Sequence, residues 1–300
     1  MGHHHSHHHE ISGKNIGWTI ALNIMITIAQ VIGGWLSGSM ALFTDALHNF
    51  SDVISLLLSW FTNRLAKKEP TIGQTYGYKR AEILSAFINS VSLIAIALFL
   101  IVEAIGRLSA PKAVLPNLVI YFALASIIAN LLSVLLLKKD ATQSMNMKSA
   151  YLHLLTDVMT SIAVLMGGVL MKFYGLYWID SFLSILIAIY LIYSSYQLLT
   201  DSIKILMQFT PADIDMMVIK QEIIQLRAVK NIHHVHIWQL NDHEIFFEAH
   251  IDLKEDILLT DFQDVLIDVQ HILKHQGINF SNIQPEYNLG DKKDLIVQHE

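Results

Sequence analysis

Residues 147–172 read MKSAYLHLLTDVMTSIAVLMGGVLMK, and this stretch decides what kind of molecule the chain is. Between Lys148 and Lys172 its only carboxylate is Asp157 and its only imidazole is His153; the rest is apolar or small. Such a run exceeds the roughly 20 residues that a helix needs to cross a hydrocarbon core of about 30 Å. Outward from it, similar stretches at 15–36, 40–63, 81–108, 115–137 and 178–200 complete six expected spans. The breaks carry turn or charge signals: Ser37-Gly38-Ser39, Lys67-Lys68-Glu69-Pro70, Pro111 to Pro116, Lys138-Lys139-Asp140 and Tyr174-Gly175. Backbone groups inside lipid must satisfy one another, so the spans are expected to be helices.

Composition and charge divide the chain. Of its 300 residues 53% are hydrophobic and 15% charged, a low charge fraction for a soluble domain. Up to Lys204 the net charge is +3, whereas from Ile205 onward it is −9. The acidic balance argues against a nucleic-acid partner. With no cysteine, disulfides and thiolate metal ligands are excluded. No cleavable signal peptide is visible, because the first apolar stretch leads into further spans.

Lys and Arg in the short loops set the orientation. With the N-terminus inside, ten fall on the inner face (Lys14, Arg64, Lys67, Lys68, Lys79, Arg80, Lys138, Lys139, Lys148, Lys204) against Arg107, Lys112 and Lys172 outside. Both termini are therefore expected in the cytoplasm. Beyond Lys204 the pattern turns soluble. Residues 213–227 read as an amphipathic helix, and Ile232 to Leu240 and Glu244 to Leu253 as a hairpin around Asn241-Asp242. A helix at 259–276 and a strand at 280–288 follow. The expected fold is an all-α six-helix transmembrane bundle plus a C-terminal α+β domain ordered αββαβ, with helices on one face of a sheet. The segments are a His-rich tail at 1–14, the membrane domain at 15–204, a cytoplasmic domain at 205–290 and a tail at 291–300.

Histidine placement carries the chemistry. Of 16 histidines, six lie in the tract His3-His4-His5-Ser6-His7-His8-His9, which reads as a purification tag or as a flexible metal-collecting tail. Only His48 and His153 lie in the membrane part, and each is followed four residues later by an aspartate, Asp52 and Asp157. Positions i and i+4 share a helix face. Two such helices, antiparallel and facing, offer two nitrogens and two carboxylates, a tetrahedral set suited to Zn²⁺. Ionisable groups at that depth cost at least about 2.5 kcal/mol each, which disfavours accident. Asp45, one turn from His48, reads as a station for the ion or for protons, or as a structural group. Because ligation needs neutral imidazoles and ionised carboxylates, metal competes with protons, and one site with two accessibilities would exchange Zn²⁺ for H⁺. Alternatives are an intramembrane zinc-dependent metalloenzyme and a zinc-sensing receptor. Four protein ligands and no H-E-x-x-H run speak against the first, and a plain small soluble domain against the second.

The run Gly38-Ser39-Met40-Ala41-Leu42-Phe43-Thr44-Asp45-Ala46-Leu47-His48-Asn49-Phe50-Ser51-Asp52 resembles the signature of the cation diffusion facilitator family, in its bacterial zinc exporter branch with His-rich tails. His153/Asp157, Tyr76-Gly77-Tyr78-Lys79-Arg80-Ala81-Glu82 and Asn231-Ile232-His233-His234-Val235-His236-Ile237-Trp238 agree in order. The resemblance implies a homodimer in the bacterial inner membrane, exchanging Zn²⁺ (or Cd²⁺ or Co²⁺) for H⁺ at the positions of His48, Asp52, His153 and Asp157, with no organic cofactor. It also implies a metallochaperone-like cytoplasmic domain that dimerises and binds regulatory zinc, here at His236, His250 and Glu286. The chain departs from the family at Gln74 and Tyr78, where some members hold a further metal. It departs at Gln208, where some carry an acidic partner in a dimer-locking ion pair. Phe280 and Gln284 stand where relatives have histidine.

Overall fold

A computed structural model describes residues 13–110, 112–137, 145–290 and 292–296. The histidine tract at 3–9 and most of the expected inner loop at 138–144 lie outside the described residues. Among the described residues, six long helices stand where the spans are expected: α1 (Gly13–Ser37), α2 (Met40–Ala66), α3 (Ala81–Ser109), α4 (Pro116–Leu137), α5 (Met145–Tyr174) and α6 (Trp178–Leu206). Four of them, α3 to α6, are long and apolar enough to cross a membrane, and Ala21–Ser37 of α1 is a shorter apolar stretch. The helix that departs from this rule is α2, whose interior carries Asp45, His48 and Asp52. After α6 come α7 (Met216–Ile224), β1 (Val229–Gln239), β2 (Ile245–Leu253), α8 (Leu259–His275) and β3 (Phe280–Glu286).

The chain forms two compact units. In the first, up to Trp60 with Ile88–Gln197, α4 packs against α1 and α5. Ala41 and Leu42 of α2 meet Val119 and Ala123 of α4, Val164 of α5 and Ile187 of α6. Small residues allow close approach between helices that lack a hydrophobic driving force in lipid. A Cβ built at Gly33 would lie 2.4 Å from the Phe122 ring, so any larger residue there must push the ring aside.

Asp180 opens α6, yet the helix it caps is α2. Its carboxylate accepts from the Ser39 hydroxyl and, at 2.7 Å, from the Met40 amide. It thereby supplies acceptors that the first turn of α2 lacks. Glu103 and Arg107, one turn apart on α3, pair at 3.1 Å, and Arg107 also donates to the Gly38 carbonyl at 2.7 Å. Gly38 itself has φ +70° in the turn between α1 and α2, a conformation that favours glycine.

The second unit contains Phe61–Phe87 and the chain from Leu198 onward. Its sheet has order β1-β2-β3, with β1 and β2 antiparallel and β2 and β3 parallel. The helices α7 and α8 pack Ile219, Ile223, Phe262, Val269 and Leu273 onto Ile232, Ile237, Phe247 and Ile251 of the sheet. The expected αββαβ order therefore holds. The first helix is shorter than 213–227, because Asp215 accepts from Met217 and Val218 amides and starts it there. The loop before α3 joins this unit: Lys79 pairs with Glu244, and Tyr76 meets Phe246 edge-on at 5.5 Å.

Candidate metal sites

The helical period places His48 and Asp52 on one face of α2, and His153 and Asp157 on one face of α5. The structure brings all four together, with one ligand atom from each within 4.8 Å of the others. The close pairs run between helices. His48 Nε2 lies 3.4 Å from Asp157 Oδ1, and His153 Nε2 lies 3.1 Å from Asp52 Oδ2. Within each helix the separations are longer, 3.7 Å for His48–Asp52 and 3.9 Å for His153–Asp157. Two antiparallel helices put each imidazole opposite the other's carboxylate, which is why the cross pairs are the short ones. Ligands about 2 Å from a tetrahedral Zn²⁺ are about 3.3 Å apart, the scale of these contacts.

His48 Nε2, Asp52 Oδ2 and both Asp157 oxygens are buried and have no hydrogen-bond partner among the described residues. Buried polar atoms are rarely left so unless a ligand or water serves them. Side-chain exposure rises from 0% at Asp157 and 6% at His48 to 22% at Asp52 and 42% at His153. The cluster is thus closed beside Asp157 and open beside His153, toward the C-terminal end of α2 and the N-terminal end of α5.

Asp45 sits deeper, fully buried, in a network that the sequence did not reveal. Its Oδ2 accepts from Gln30 Nε2 at 2.6 Å and from Ser161 Oγ at 3.1 Å. Gln30 also donates to Ser126 at 2.9 Å and accepts from Asn49 Nδ2 at 2.7 Å. One amide thereby joins α1, α2 and α4, while Ser161 brings in α5. Asn89 likewise joins α3 to α2 by donating to Ser55 at 2.6 Å.

A second group forms in the soluble unit, where the geometry differs from the expectation at one position. His250 and Glu286 do meet, at 2.7 Å, but the third member is His233, whose Nε2 lies 3.2 Å from Glu286 Oε2. His236, the expected third ligand, instead stands opposite Glu248. The register pairs His233 with His250 and His236 with Glu248, two residues away along β2, and the bulge at His234, with φ +54°, leaves His233 and His236 on the same face of the sheet. Gln284 donates to Glu286 at 3.2 Å, and Phe280 stacks on Phe246 at 4.7 Å. Gln74 donates to Tyr78 at 3.1 Å.

A carboxylate–imidazole cluster inside apolar helices is a place for a cation in transit, and by class the protein is a membrane metal transporter. Comparison with known proteins makes the class specific. The cation efflux transmembrane domain matches residues 18–207, and the cytoplasmic domain of cation efflux proteins matches residues 211–286. The chain belongs to the cation efflux, or cation diffusion facilitator, family: it is a multi-pass membrane protein that exports metal cations, not an enzyme. The metalloenzyme alternative therefore falls. A cadmium, cobalt and zinc/H(+)-K(+) antiporter of Bacillus subtilis is 35% identical, covering 99% of this chain and 96% of the relative. Zinc transporter ZitB of Escherichia coli is 29% identical over 96% of this chain and 93% of its own. Metal cation efflux system protein CzcD of Cupriavidus metallidurans is 30% identical over 91% and 86%.

Proposed function

We propose that the protein exports Zn²⁺ from the cytoplasm in exchange for H⁺, with His48, Asp52, His153 and Asp157 as the transport ligands. The observation that carries this reading is the convergence of those four side chains from α2 and α5 into one group, buried at His48 and Asp157. Two imidazoles and two carboxylates form a nitrogen–oxygen set that suits Zn²⁺, and Cd²⁺ and Co²⁺ accept similar donors.

Proton coupling follows from the cost of the empty state. Two ionised carboxylates away from water, with no counter-cation, cost several kcal/mol each. The site is therefore stable when it carries either one divalent metal or protons. Facing the cytoplasm it binds Zn²⁺ and sheds protons; facing outward it protonates and releases the metal. The opening beside His153 supports an inward-facing state, since loop Lys and Arg place the α5 N-terminus inside. Asp45 lies one turn farther from that opening and is a station on the outward path for the ion or for protons. Both termini are cytoplasmic in the bacterial inner membrane, the cytoplasmic domain pairs two copies, and His233, His250 and Glu286 hold a regulatory metal there. The donor set fits such an ion: two imidazoles and a carboxylate within 4.8 Å of one another.

The test is a proteoliposome loaded with a zinc dye and a pH dye. Zinc entering the lumen should drive protons out, and lumenal pH should rise in step. In the pH range where both imidazoles are protonated, affinity on the loading side should fall by up to about a hundredfold per unit drop in pH, because two protons must leave before the metal binds. Zinc entry with no proton movement would reject the antiport.

A further inference from the structure

We propose that Lys293 is a built-in competitor for the cytoplasmic cation site, so that metal binding there requires the segment 292–296 to leave. The proposal rests on reading His233, His250 and Glu286 as a metal site. Around that group the Lys293 ammonium lies 2.9 Å from Glu286 Oε2, 2.8 Å from Asp252 Oδ1 and 3.4 Å from His233 Nε2. Glu286 Oε2 and His233 Nε2 are two of the atoms that a metal would need.

The segment is docked as well as attracted. β1 is an edge of the sheet, and at its bulge two amides face outward: His234 N donates to Asp294 O at 3.2 Å and Val235 N to Leu295 O at 2.8 Å. The tail thereby covers an open edge that would otherwise present unpaired backbone groups. Leu295 packs against the domain core. The carboxylates of Asp252 and Glu286, both nearly buried, need a cation, and the chain supplies its own.

A metal and the ammonium cannot share these atoms. Zn²⁺ bonds at about 2 Å to nitrogen and oxygen, so binding Glu286 Oε2 and His233 Nε2 would put it within about 4 Å of Lys293 Nζ. Like charges at that range repel strongly in a shielded setting. Metal therefore displaces Lys293, and with it the two backbone bonds on β1. The segment raises the free-zinc concentration at which the cytoplasmic site fills, and it turns filling into exposure of the β1 edge.

Amide hydrogen exchange on the full chain, titrated with Zn²⁺, reads both events at the site itself and is indifferent to metal bound elsewhere. Zinc should accelerate exchange at His234 and Val235 while protecting the strands that carry His250 and Glu286. Lys293→Gln should shift the zinc midpoint about tenfold lower, the effect of roughly one lost charge-assisted contact. His250→Ala should abolish the response. If it does so while Lys293→Gln keeps the wild-type midpoint, or if His234 and Val235 stay protected in zinc, the competitor idea is wrong and the metal site survives. If zinc produces no response in either the wild type or Lys293→Gln, the metal site itself is wrong, and the competitor with it.

Discussion

Replacing Asp157 by Asn tests the transport site most sharply. The side chain is wholly buried, and neither oxygen has a hydrogen-bond partner among the described residues. A carboxylate about 2 Å from Zn²⁺ attracts it by about 17 kcal/mol at an effective dielectric of 20, and desolvation of the ion and its ligands cancels most of this. Since loss of a group that merely supports a ligand weakens metal binding 10–100-fold, loss of a charged ligand should weaken it at least about 100-fold, or about 3 kcal/mol. Thermal unfolding separates this from misfolding. At zinc 100 times the site's Kd, the wild type should gain about 2.7 kcal/mol; at the same zinc the variant should gain only about 0.4 kcal/mol. Without zinc, the variant should be at least as stable, because a neutral amide replaces a carboxylate that is costly to bury. The histidine tract and the cytoplasmic cluster are the same in both proteins, so the difference belongs to the membrane site. Zinc and proton fluxes in proteoliposomes should vanish together. Wild-type flux and wild-type zinc stabilisation in Asp157→Asn would mean that the four side chains do not share the transported ion.

Substitutions at three other positions, His48, Asp180 and Gly33, probe selectivity and packing. His48→Asp replaces a nitrogen ligand by oxygen and should widen transport toward harder divalent ions such as Mn²⁺; an unchanged metal preference in competition assays removes His48 as a selector. Asp180→Ala orphans the Ser39 hydroxyl and the Met40 amide and should cost about 1–3 kcal/mol. Asp180→Asn, which keeps one acceptor, should lose clearly less in the same melting experiment, and equal losses would rule out capping as its role. Gly33→Ala should cost about 1–3 kcal/mol by pushing Phe122 aside, with partial recovery in a double variant carrying Phe122→Leu. A silent Gly33→Ala would show that α1 and α4 are not in close contact.

The helices were legible because the bilayer imposes a length and forbids unsatisfied backbone, so that apolar runs and their breaks place α1 to α6 to within a few residues, apart from longer tails at α2 and α6. The transport cluster was legible for a related reason. In so apolar a setting an imidazole and a carboxylate four residues apart stand out, and helical geometry fixes that they share a face. The network around Asp45 was not legible. Gln30, Ser126 and Ser161 are common small or amide residues that belong to three different helices. Nothing in the spacing along one helix says which residue of another it will meet. Only packing, such as the approach of α1 to α4 at Gly33, brings Gln30 to Ser126 and Asp45.

The soluble domain marks where sequence reasoning changes character. In a strand the period of two is a strong guide, and by strict alternation His234 and His236 share one face while His233 takes the other. That rule fails here for a local cause, since His234 adopts φ +54° and the register slips between His233 and His236. One extra residue is enough to bring His233 and His236, three positions apart, onto one face, where they stand opposite His250 and Glu248. No pattern in Asn231-Ile232-His233-His234-Val235-His236 announces it, because a bulge on a histidine needs no glycine. The same slip turns the His234 and Val235 amides toward residues 294 and 295. The residue before them, Lys293, consequently reaches Glu286 and Asp252. A single irregularity in β1 thus puts both histidines on the carboxylate-bearing face and docks the segment whose ammonium contends with metal for Glu286. Regularising the strand should undo both at once.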